Sequence, residues 1–250
     1  MIDVAIDAAR AAGDLAKTYY GKSKNVRYKG DNSPVTKADI EAERLIRQII
    51  TKNFPGHGII GEELDNVNPN SAFQWTIDPV DGTKQFIRSI PYWATLLALL
   101  KGGKPILGIS YMPSTGEIAI AEKGKGTYLN GKKCKVSKIS NLKSAYMCHS
   151  SIEYFDKKGK MKGFLKLEKT VYAARGYAET LGYHLLIQGK IEMMLEARDQ
   201  IWDIAAPAIL TEEAGGKFTD FSGKFSITSQ EAVATNGILH DDVIKMLNSR

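Results

Sequence analysis

Carboxylates stand directly after apolar runs at three points of this 250-residue sequence. The three segments are Gly61-Glu62-Glu63, the run Asp-Pro-Val-Asp-Gly-Thr from Asp78 to Thr83, and Trp202-Asp203. Because each preceding run is typical of a strand, we predict that these acids lie at strand ends. Carboxylates gathered at one buried edge repel each other unless a cation lies among them. All the candidate ligands are oxygens, so the pattern predicts Mg²⁺ rather than zinc or copper.

The segment Asp78-Pro79-Val80-Asp81 can be interpreted residue by residue. The proline fixes the chain between the two acids, so their carboxylates can converge while the valine carbonyl turns toward the same centre. Gly82 lets the backbone approach a ligand closely. Thr83 is predicted to begin a short helix, whose free N–H groups suit a phosphate.

Each segment alone also has an ordinary interpretation. Asp-Pro-x-Asp-Gly is a common turn, Glu62 and Glu63 are typical of solvated surface, and Asp203 is a good helix cap. The occurrence of all three in this order favours a functional site.

These segments resemble the defining motifs of the inositol monophosphatase superfamily. The resemblance extends to Val35-Thr36-Lys37-Ala38-Asp39, to Trp202-Asp203-Ile204-Ala205-Ala206 and to Glu213-Ala214-Gly215-Gly216, in register over nearly the whole chain. It implies an α+β / α/β fold, the layered αβαβα sandwich of that superfamily. It also implies a magnesium-dependent, lithium-sensitive phosphatase that usually forms a homodimer.

The resemblance assigns the metal ligands position by position. Glu62, Asp78 and the Val80 carbonyl are similar to the first metal site, and Asp78, Asp81 and Asp203 to the second. Glu62 is similar to the contributor to a weaker third site. Two or three Mg²⁺ ions are therefore expected.

The same resemblance assigns the catalytic and phosphate-binding groups. Thr83 with Asp39 is similar to the pair that orients and deprotonates the attacking water, and Glu62 is counted with them. The main-chain N–H groups of Gly82 and Thr83 are similar to the phosphate-binding groups. No covalent intermediate is expected, because the sequence shows no Ser/His or Cys/His nucleophile pair.

The substrate is less narrowly defined, because the superfamily acts on inositol phosphate, fructose bisphosphate, 3′-phosphoadenosine 5′-phosphate and histidinol phosphate. The run Thr-Lys-Gln-Phe-Ile from Thr83 is similar to the histidinol-phosphatase and nucleotide branches, and the segment 90–99 is most similar to the histidinol-phosphatase branch. A second segment, 175–183, is similar to that branch except that Ala178 replaces a glycine and Glu179 an aspartate. Arg175, Glu179 and Glu196 are the expected substrate-binding residues. Inositol 1-phosphate and 3′-phosphoadenosine 5′-phosphate stay open as alternatives, as does a catalytically silent binding module.

The surrounding elements follow from periodicity. Apolar residues at helical spacing predict a helix over 2–20 and a second from Thr36, with Asp39 completing a capping box. Short apolar runs then predict strands over 57–60, 73–77, 94–100, 105–111, 117–121 and 127–129, including a hairpin at 101–104 and a turn at Asn130-Gly131. Later segments predict helices at 180–188, 203–214 and 241–247 and strands at 191–195, 217–219 and 232–235. We divide the chain into an N-terminal α+β part, 1–135, and a C-terminal α/β part, 136–250.

Composition limits the remaining function classes. The net charge is +6, and the densest basic stretch, 157–166, is interpreted as a solvated loop rather than a nucleic-acid site. No apolar stretch is long enough for a membrane span, and the first residues lack the build of a secretory signal. Only two cysteines occur, Cys134 and Cys148, which indicates reduced thiols rather than a disulfide framework. A cytoplasmic protein acting on a small phosphorylated substrate is expected.

Overall fold

Two amphipathic helices form one outer layer of the computed structural model, which describes residues 1–22, 26–28, 30, 34–176 and 179–249. Helix α1 (Ile2–Tyr19) buries a face made largely of alanines, which lets helix α2 (Lys37–Asn53) pack closely against it. Thr36 is the N-cap of α2, and its capping box with Asp39 is present as predicted. A two-stranded antiparallel ribbon, β1 (Arg27–Tyr28) with β2 (Pro34–Val35), precedes α2.

A seven-stranded sheet lies beneath these helices, with its strands in chain order. Only its first pair is parallel, and all the others are antiparallel, as the hairpin signals predict. Asn130 and Gly131 both have positive φ, 47° and 77°, as a tight hairpin turn requires. The strands are β3 (Gly58–Gly61), β4 (Phe73–Asp81), β5 (Ala94–Lys101), β6 (Lys104–Met112), β7 (Glu117–Glu122), β8 (Gly126–Leu129) and β9 (Lys132–Lys133).

A second, five-stranded sheet has the order β11-β10-β12-β14-β13. Strand β10 is parallel to both of its neighbours, whereas β14 is antiparallel to both of its own, so the sheet is mixed. Its strands are β10 (Tyr146–His149), β11 (Ala173–Arg175), β12 (Met193–Glu196), β13 (Lys217–Thr219) and β14 (Ala232–Thr235).

Helices fill the space between the sheets and cover the outer face of the second one. Helices α6 (Thr180–Ile187) and α7 (Ile201–Glu213) lie between the sheets, in a shared apolar core. Helices α4 (Ile152–Lys157), α5 (Met161–Thr170) and α8 (His240–Leu247) form the other outer layer. The result is the expected αβαβα layering. The division of the chain at residue 135 stays a prediction.

The basic stretch 157–166 is only in part the solvated loop that its composition indicated. Residues 158–160 form the turn between α4 and α5, but the rest of the stretch is helical. Phe164 and Leu167 are buried on one face of α5, and Phe155 of α4 packs against Phe164 with ring centroids 4.6 Å apart. Lys162 and Lys166 lie on the exposed face of α5, so this part is an amphipathic helix. Among the described helices, none is long and apolar enough to cross a membrane.

Candidate active site

A β-bulge places the two aspartates of β4 on the same side of the sheet. In a regular strand, residues three apart point to opposite faces. Asp78 pairs with Leu96 and Asp81 with Ala94, so β4 carries one residue more than β5 between these pairs. Asp78 and Asp81 consequently line one cavity, and they are only 2% and 7% exposed. The Val80 N–H donates to Asp78 Oδ1 at 2.9 Å, which keeps the intervening segment tightly folded.

Asp81 is held in place by helix α6, a contact that the sequence motifs do not contain. Both the backbone N–H and the hydroxyl of Thr180 donate to Asp81 Oδ2, the former at 3.1 Å. Thr180 is the first residue of α6, so the positive end of that helix faces the carboxylate. Thr180 is therefore a positioning residue for Asp81 that sequence reasoning missed.

Asp203 enters the cavity from the first turn of α7. The helix begins at Ile201, two residues earlier than predicted, and the Gln200 N–H donates to Asp203 Oδ2 at 2.7 Å. The carboxylate thus closes a capping box through one oxygen and also lines the cavity. Asp203 therefore caps helix α7 and also lines the cavity.

Thr83 and Asp39 are brought together as the resemblance implied. The Thr83 hydroxyl lies 3.3 Å from Asp39 Oδ1 and 3.1 Å from the Val80 carbonyl, and its single hydrogen can be donated to only one of them. Asp39 is fully buried, and its other oxygen accepts the Thr36 N–H at 2.8 Å. Burial is the first cause that raises the pKa of Asp39.

Gly82 makes the turn that leads from Asp81 into the short helix α3 (Thr83–Ile87). Its φ is 82°, in the left-handed region that favours glycine. A Cβ there would lie 3.2 Å from the Tyr92 carbonyl and 3.4 Å from Glu179 Oε2. A side chain at Gly82 would therefore be strained by the backbone conformation and crowded against the Tyr92 carbonyl.

Glu62 reaches the cavity from a loop that a buried ion pair supports. Its N–H donates to the Ile77 carbonyl at 3.1 Å, continuing the β3–β4 pairing. Behind this loop, Glu43 accepts the Glu63 N–H at 2.7 Å and pairs with Arg47. A Cβ on Gly61 would lie 2.0 Å from Glu43 Oε1, so the glycine of the Gly-Glu-Glu motif makes room for this support.

Seven carboxylates line this cavity of about 610 Å³. We call the four from the sequence motifs the motif carboxylates and the three from the C-terminal part the wall carboxylates. The motif carboxylates are Glu62, Asp78, Asp81 and Asp203, and the wall carboxylates are Glu179, Glu196 and Asp199.

Burial is the main cause that raises the pKa of the three aspartates in the motif set. It raises the pKa of Asp78 well above its usual value, and the charges of Glu62 and Asp81 raise it further. The pKa of Asp81 rises to about 6, although the Thr180 hydrogen bonds lower it in part. The pKa of Asp203 is likewise raised, first by burial. Proximity of these anions is unfavourable unless a cation is bound between them.

The donor set fits Mg²⁺ in its chemistry. All the side-chain donors are carboxylate oxygens, joined by the Val80 carbonyl, and hard oxygen ligands suit this ion. Within the described ranges, no group of three or more His, Cys, Asp or Glu side chains stands in a ready metal-binding arrangement. One oxygen each of Asp78, Asp81 and Asp203 instead accepts a protein hydrogen bond. The assignment of these residues as ligands therefore stays a prediction.

Two expected substrate residues, Glu179 and Glu196, meet at the opposite wall of the cavity. The Glu179 N–H donates to Glu196 Oε1 at 3.0 Å, and the Gln85 amide donates to Glu179 Oε2. Burial raises the pKa of Glu196 to about 7. Glu179 is the N-cap residue of α6, with φ 65°, but its side chain accepts from Gln85 and does not cap the helix.

Arg175, the third expected substrate residue, is not brought to the cavity. It lies exposed at the end of edge strand β11, with its guanidinium 5.9 Å from the Tyr146 ring centroid and one N–H donated to the Ala174 carbonyl. The resemblance of segment 175–183 to the histidinol-phosphatase branch had assigned it to the site. Ala178, the predicted departure from the histidinol-phosphatase pattern, lies outside the described residues.

Sequence reasoning missed two further residues of the wall, Asp199 and Tyr183. Asp199 lies between Glu196 and Asp203 in the chain, and Tyr183 lies three residues after Thr180 on α6. The short distance in sequence between Glu196 and Asp199 could have suggested Asp199 as a site residue. A single acid in a loop, however, matches no motif of its own.

Comparison with known proteins agrees with this geometry. The model for the "Inositol monophosphatase family" matches residues 1–250. The histidinol-phosphatase of Mycobacterium tuberculosis is 34% identical, covering 98% of this chain and 97% of its own length. The "Fructose-1,6-bisphosphatase/inositol-1-monophosphatase" of Aquifex aeolicus is 32% identical over 98% of this chain and 94% of its own. The extragenic suppressor protein suhB from Bartonella henselae has the same fold, with a TM-score of 0.93 at 28% identity over 99% of this chain and 98% of its own.

Proposed function

Because this chain belongs to the inositol monophosphatase family and is a phosphoric monoester hydrolase, we propose that it hydrolyses L-histidinol phosphate to histidinol and phosphate. The observation that carries this choice is the wall carboxylates, a second set of buried acids outside the motifs and facing the same cavity. Similar relatives named histidinol-phosphatase support it, at 33% to 34% identity.

Charge balance favours a substrate that carries a cation. Two divalent ions would offset the four motif carboxylates, and Lys84 and Arg198, which also line the cavity, would offset a phosphate dianion. The three wall carboxylates are then left uncompensated. The ammonium and imidazole groups of histidinol phosphate supply positive charge there, whereas an inositol ring has only neutral hydroxyls.

The family is metal-dependent, and we infer that Glu62, Asp78, Asp81, Asp203 and the Val80 carbonyl hold two or three Mg²⁺ ions. Bound there, the ions would supply the electrostatic neutralisation and water activation that phosphate-ester hydrolysis needs. Lithium sensitivity, a homodimeric assembly and a cytoplasmic location are further parts of the proposal. The last rests on the two cysteines, which are buried, free thiols.

The chain's own residues perform the proton and positioning work. With its hydrogen directed to Asp39 Oδ1, the Thr83 oxygen can accept a proton from the attacking water as it passes its own hydrogen to the Asp39 carboxylate. The N–H groups of Gly82 and Thr83 donate to phosphoryl oxygens as the ester is cleaved. Direct attack by water makes a covalent intermediate unnecessary.

Inositol 1-phosphate is the first alternative substrate, and 3′-phosphoadenosine 5′-phosphate is the second. Glu196 is compatible with both substrates, because its carboxylate can accept hydrogen bonds from inositol hydroxyls as well as bind a cation. The remaining alternative is a catalytically silent binding module. The intact Thr83–Asp39 contact argues against it.

A panel of phosphate esters assayed with Mg²⁺ tests the proposal. We expect the highest kcat/KM for L-histidinol phosphate, ahead of inositol 1-phosphate, 3′-phosphoadenosine 5′-phosphate and glycerol phosphate. A clear preference for inositol 1-phosphate would contradict the substrate assignment and leave the phosphatase assignment intact. No turnover of any ester would favour the silent module.

A further inference from the structure

Two residues that line the cavity, Asp199 and Tyr183, each carry a buried polar atom without a hydrogen-bond partner. Asp199 Oδ2 and the Tyr183 hydroxyl are among the five such side-chain atoms in the described part of the chain. Asp199 is 7% exposed and Tyr183 3%. Because a buried carboxylate oxygen is costly without a donor, two such atoms on residues that line a cavity indicate that a ligand supplies one.

The two residues are fixed by different elements and lie close to each other. The Asp199 N–H donates to the Gln230 carbonyl at 3.1 Å, which ties its loop to the segment before β14. Tyr183 lies one turn after Thr180, on the same face of α6. Burial raises the pKa of the Tyr183 phenol, and Asp199 is the foremost of the charges that raise it further. Both acceptors are thus presented by rigid parts of the fold.

The other wall carboxylates are already engaged with the protein. Glu196 Oε1 accepts the Glu179 N–H, and Glu179 Oε2 accepts the Gln85 amide. Asp199 alone of the three has a carboxylate oxygen that is both buried and without a partner. It is therefore the acid best able to make a new, charge-assisted hydrogen bond.

We propose that Asp199 and Tyr183 form a subsite for the protonated nitrogen group of the leaving alcohol, with Asp199 as the residue that selects amine-bearing phosphate esters. The inference rests on the proposed function and deepens it, because it assigns substrate choice to a residue outside the motifs. A cation with two N–H donors can satisfy Asp199 Oδ2 and the Tyr183 oxygen together. A neutral hydroxyl donates a single hydrogen and leaves the carboxylate charge uncompensated.

The test compares Asp199→Asn with Glu153→Gln, an exposed acid of α4 that pairs with Lys157 and serves as the control for general charge effects. The ratio of kcat/KM for L-histidinol phosphate to that for glycerol phosphate should fall about 10-fold or more in Asp199→Asn, the range of a lost charge-assisted hydrogen bond. Most of this change should appear in KM. Glu153→Gln should leave the ratio unchanged, and Tyr183→Phe should lower it by a smaller factor.

A second measurement separates this inference from the proposed substrate. L-histidinol, which lacks phosphate, should inhibit hydrolysis of p-nitrophenyl phosphate, and its Ki should rise about 10-fold in Asp199→Asn. Inhibition of this kind without turnover of L-histidinol phosphate supports the subsite and overturns the substrate assignment. Efficient turnover of L-histidinol phosphate with an unchanged ratio and Ki in both Asp199→Asn and Tyr183→Phe overturns the subsite alone.

Discussion

The motif and wall carboxylates share one cavity but are positioned in different ways. Asp78 and Asp81 come from a single strand, three residues apart, and the bulge between them sets their direction. Glu179 and Glu196 come from separate elements. The Glu179 main-chain N–H donates a hydrogen bond to the Glu196 side chain. The first arrangement is local to the chain, whereas the second requires two packed elements.

This difference separates two roles. Groups fixed by local geometry can be placed accurately around a reacting phosphate, where small displacements reduce the rate strongly. Groups carried by separate elements can differ between relatives without disturbing that geometry. We therefore expect changes in the motif set to affect every substrate, and changes in the wall set to affect substrate choice.

Metal removal should have the largest effect and act through the motif set. Excess EDTA is expected to abolish hydrolysis of all esters, and Mg²⁺ should restore it while Ca²⁺ does so poorly, because the small octahedral ion matches this chemistry. The measurement is phosphate release for L-histidinol phosphate and glycerol phosphate before and after chelation. Sustained turnover of either ester in EDTA would exclude the mechanism proposed for the motif carboxylates.

Asp81→Asn and Asp203→Asn should come next in magnitude. Each removes one charge but keeps an oxygen that can accept from Thr180 or from the Gln200 N–H. Turnover should therefore fall by roughly 10²-fold or more for all esters while the fold is retained. Steady-state kinetics with circular dichroism checks this, with Glu153→Gln as the control. Wild-type rates in either variant would show that the motif carboxylates are not the reacting centre.

Glu179→Gln should have a smaller and selective effect. Loss of a charge-assisted hydrogen bond to the cationic part of the substrate is expected to lower kcat/KM for L-histidinol phosphate about 10-fold relative to glycerol phosphate. The ratio of the two specificity constants is the quantity to measure. An equal loss for both esters would give Glu179 a structural role, through its contacts with Glu196 and Gln85.

Stability without metal should depend on pH, with a modest effect from each of two buried carboxyl groups, those of Asp81 and Glu196. The pKa of Asp81 is raised from 3.8 to about 6 and that of Glu196 from 4.5 to about 7, mainly by burial. Between about pH 4 and pH 7 the folded chain therefore holds more protons than the unfolded chain. Stability from these groups is fully present below that window and is lost as pH rises through it, on the order of 3 kcal/mol per group at most.

Urea unfolding in EDTA at pH 4 and pH 7.5 measures this loss, and Glu196→Gln should reduce it. His240 acts in the opposite direction, because burial lowers its pKa to about 4 and its neutral form is favoured in the fold. Its contribution cancels in the difference between wild type and Glu196→Gln. Identical pH profiles of unfolding free energy for wild type and Glu196→Gln would show that burial of ionised Glu196 does not destabilise the fold.

Local sequence signals predicted well what neighbouring residues enforce. The Thr36 cap, the hairpins of the seven-stranded sheet and the start of α6 were all predicted. Strands β10 and β11 and helices α4 and α5 were not. Phe155, Phe164 and Leu167 give that region its core, but the lysines between them hid the helical periodicity. Arg175 was assigned to the site by resemblance, and it lies instead at the exposed end of an edge strand.

The amino-acid sequence by itself determined the family through its motifs. It also determined much of the local shape of Asp78–Thr83, because proline fixes φ and glycine permits the positive φ of Gly82. Only the tertiary structure decided which acids meet. Thr180 holds Asp81 from 99 residues away, and that contact depends on how α6 packs between the two sheets. The wall formed by Glu196 and Asp199 has the same origin. Burial and unsatisfied hydrogen bonds are properties of packed elements, and no residue pattern along the chain contains them.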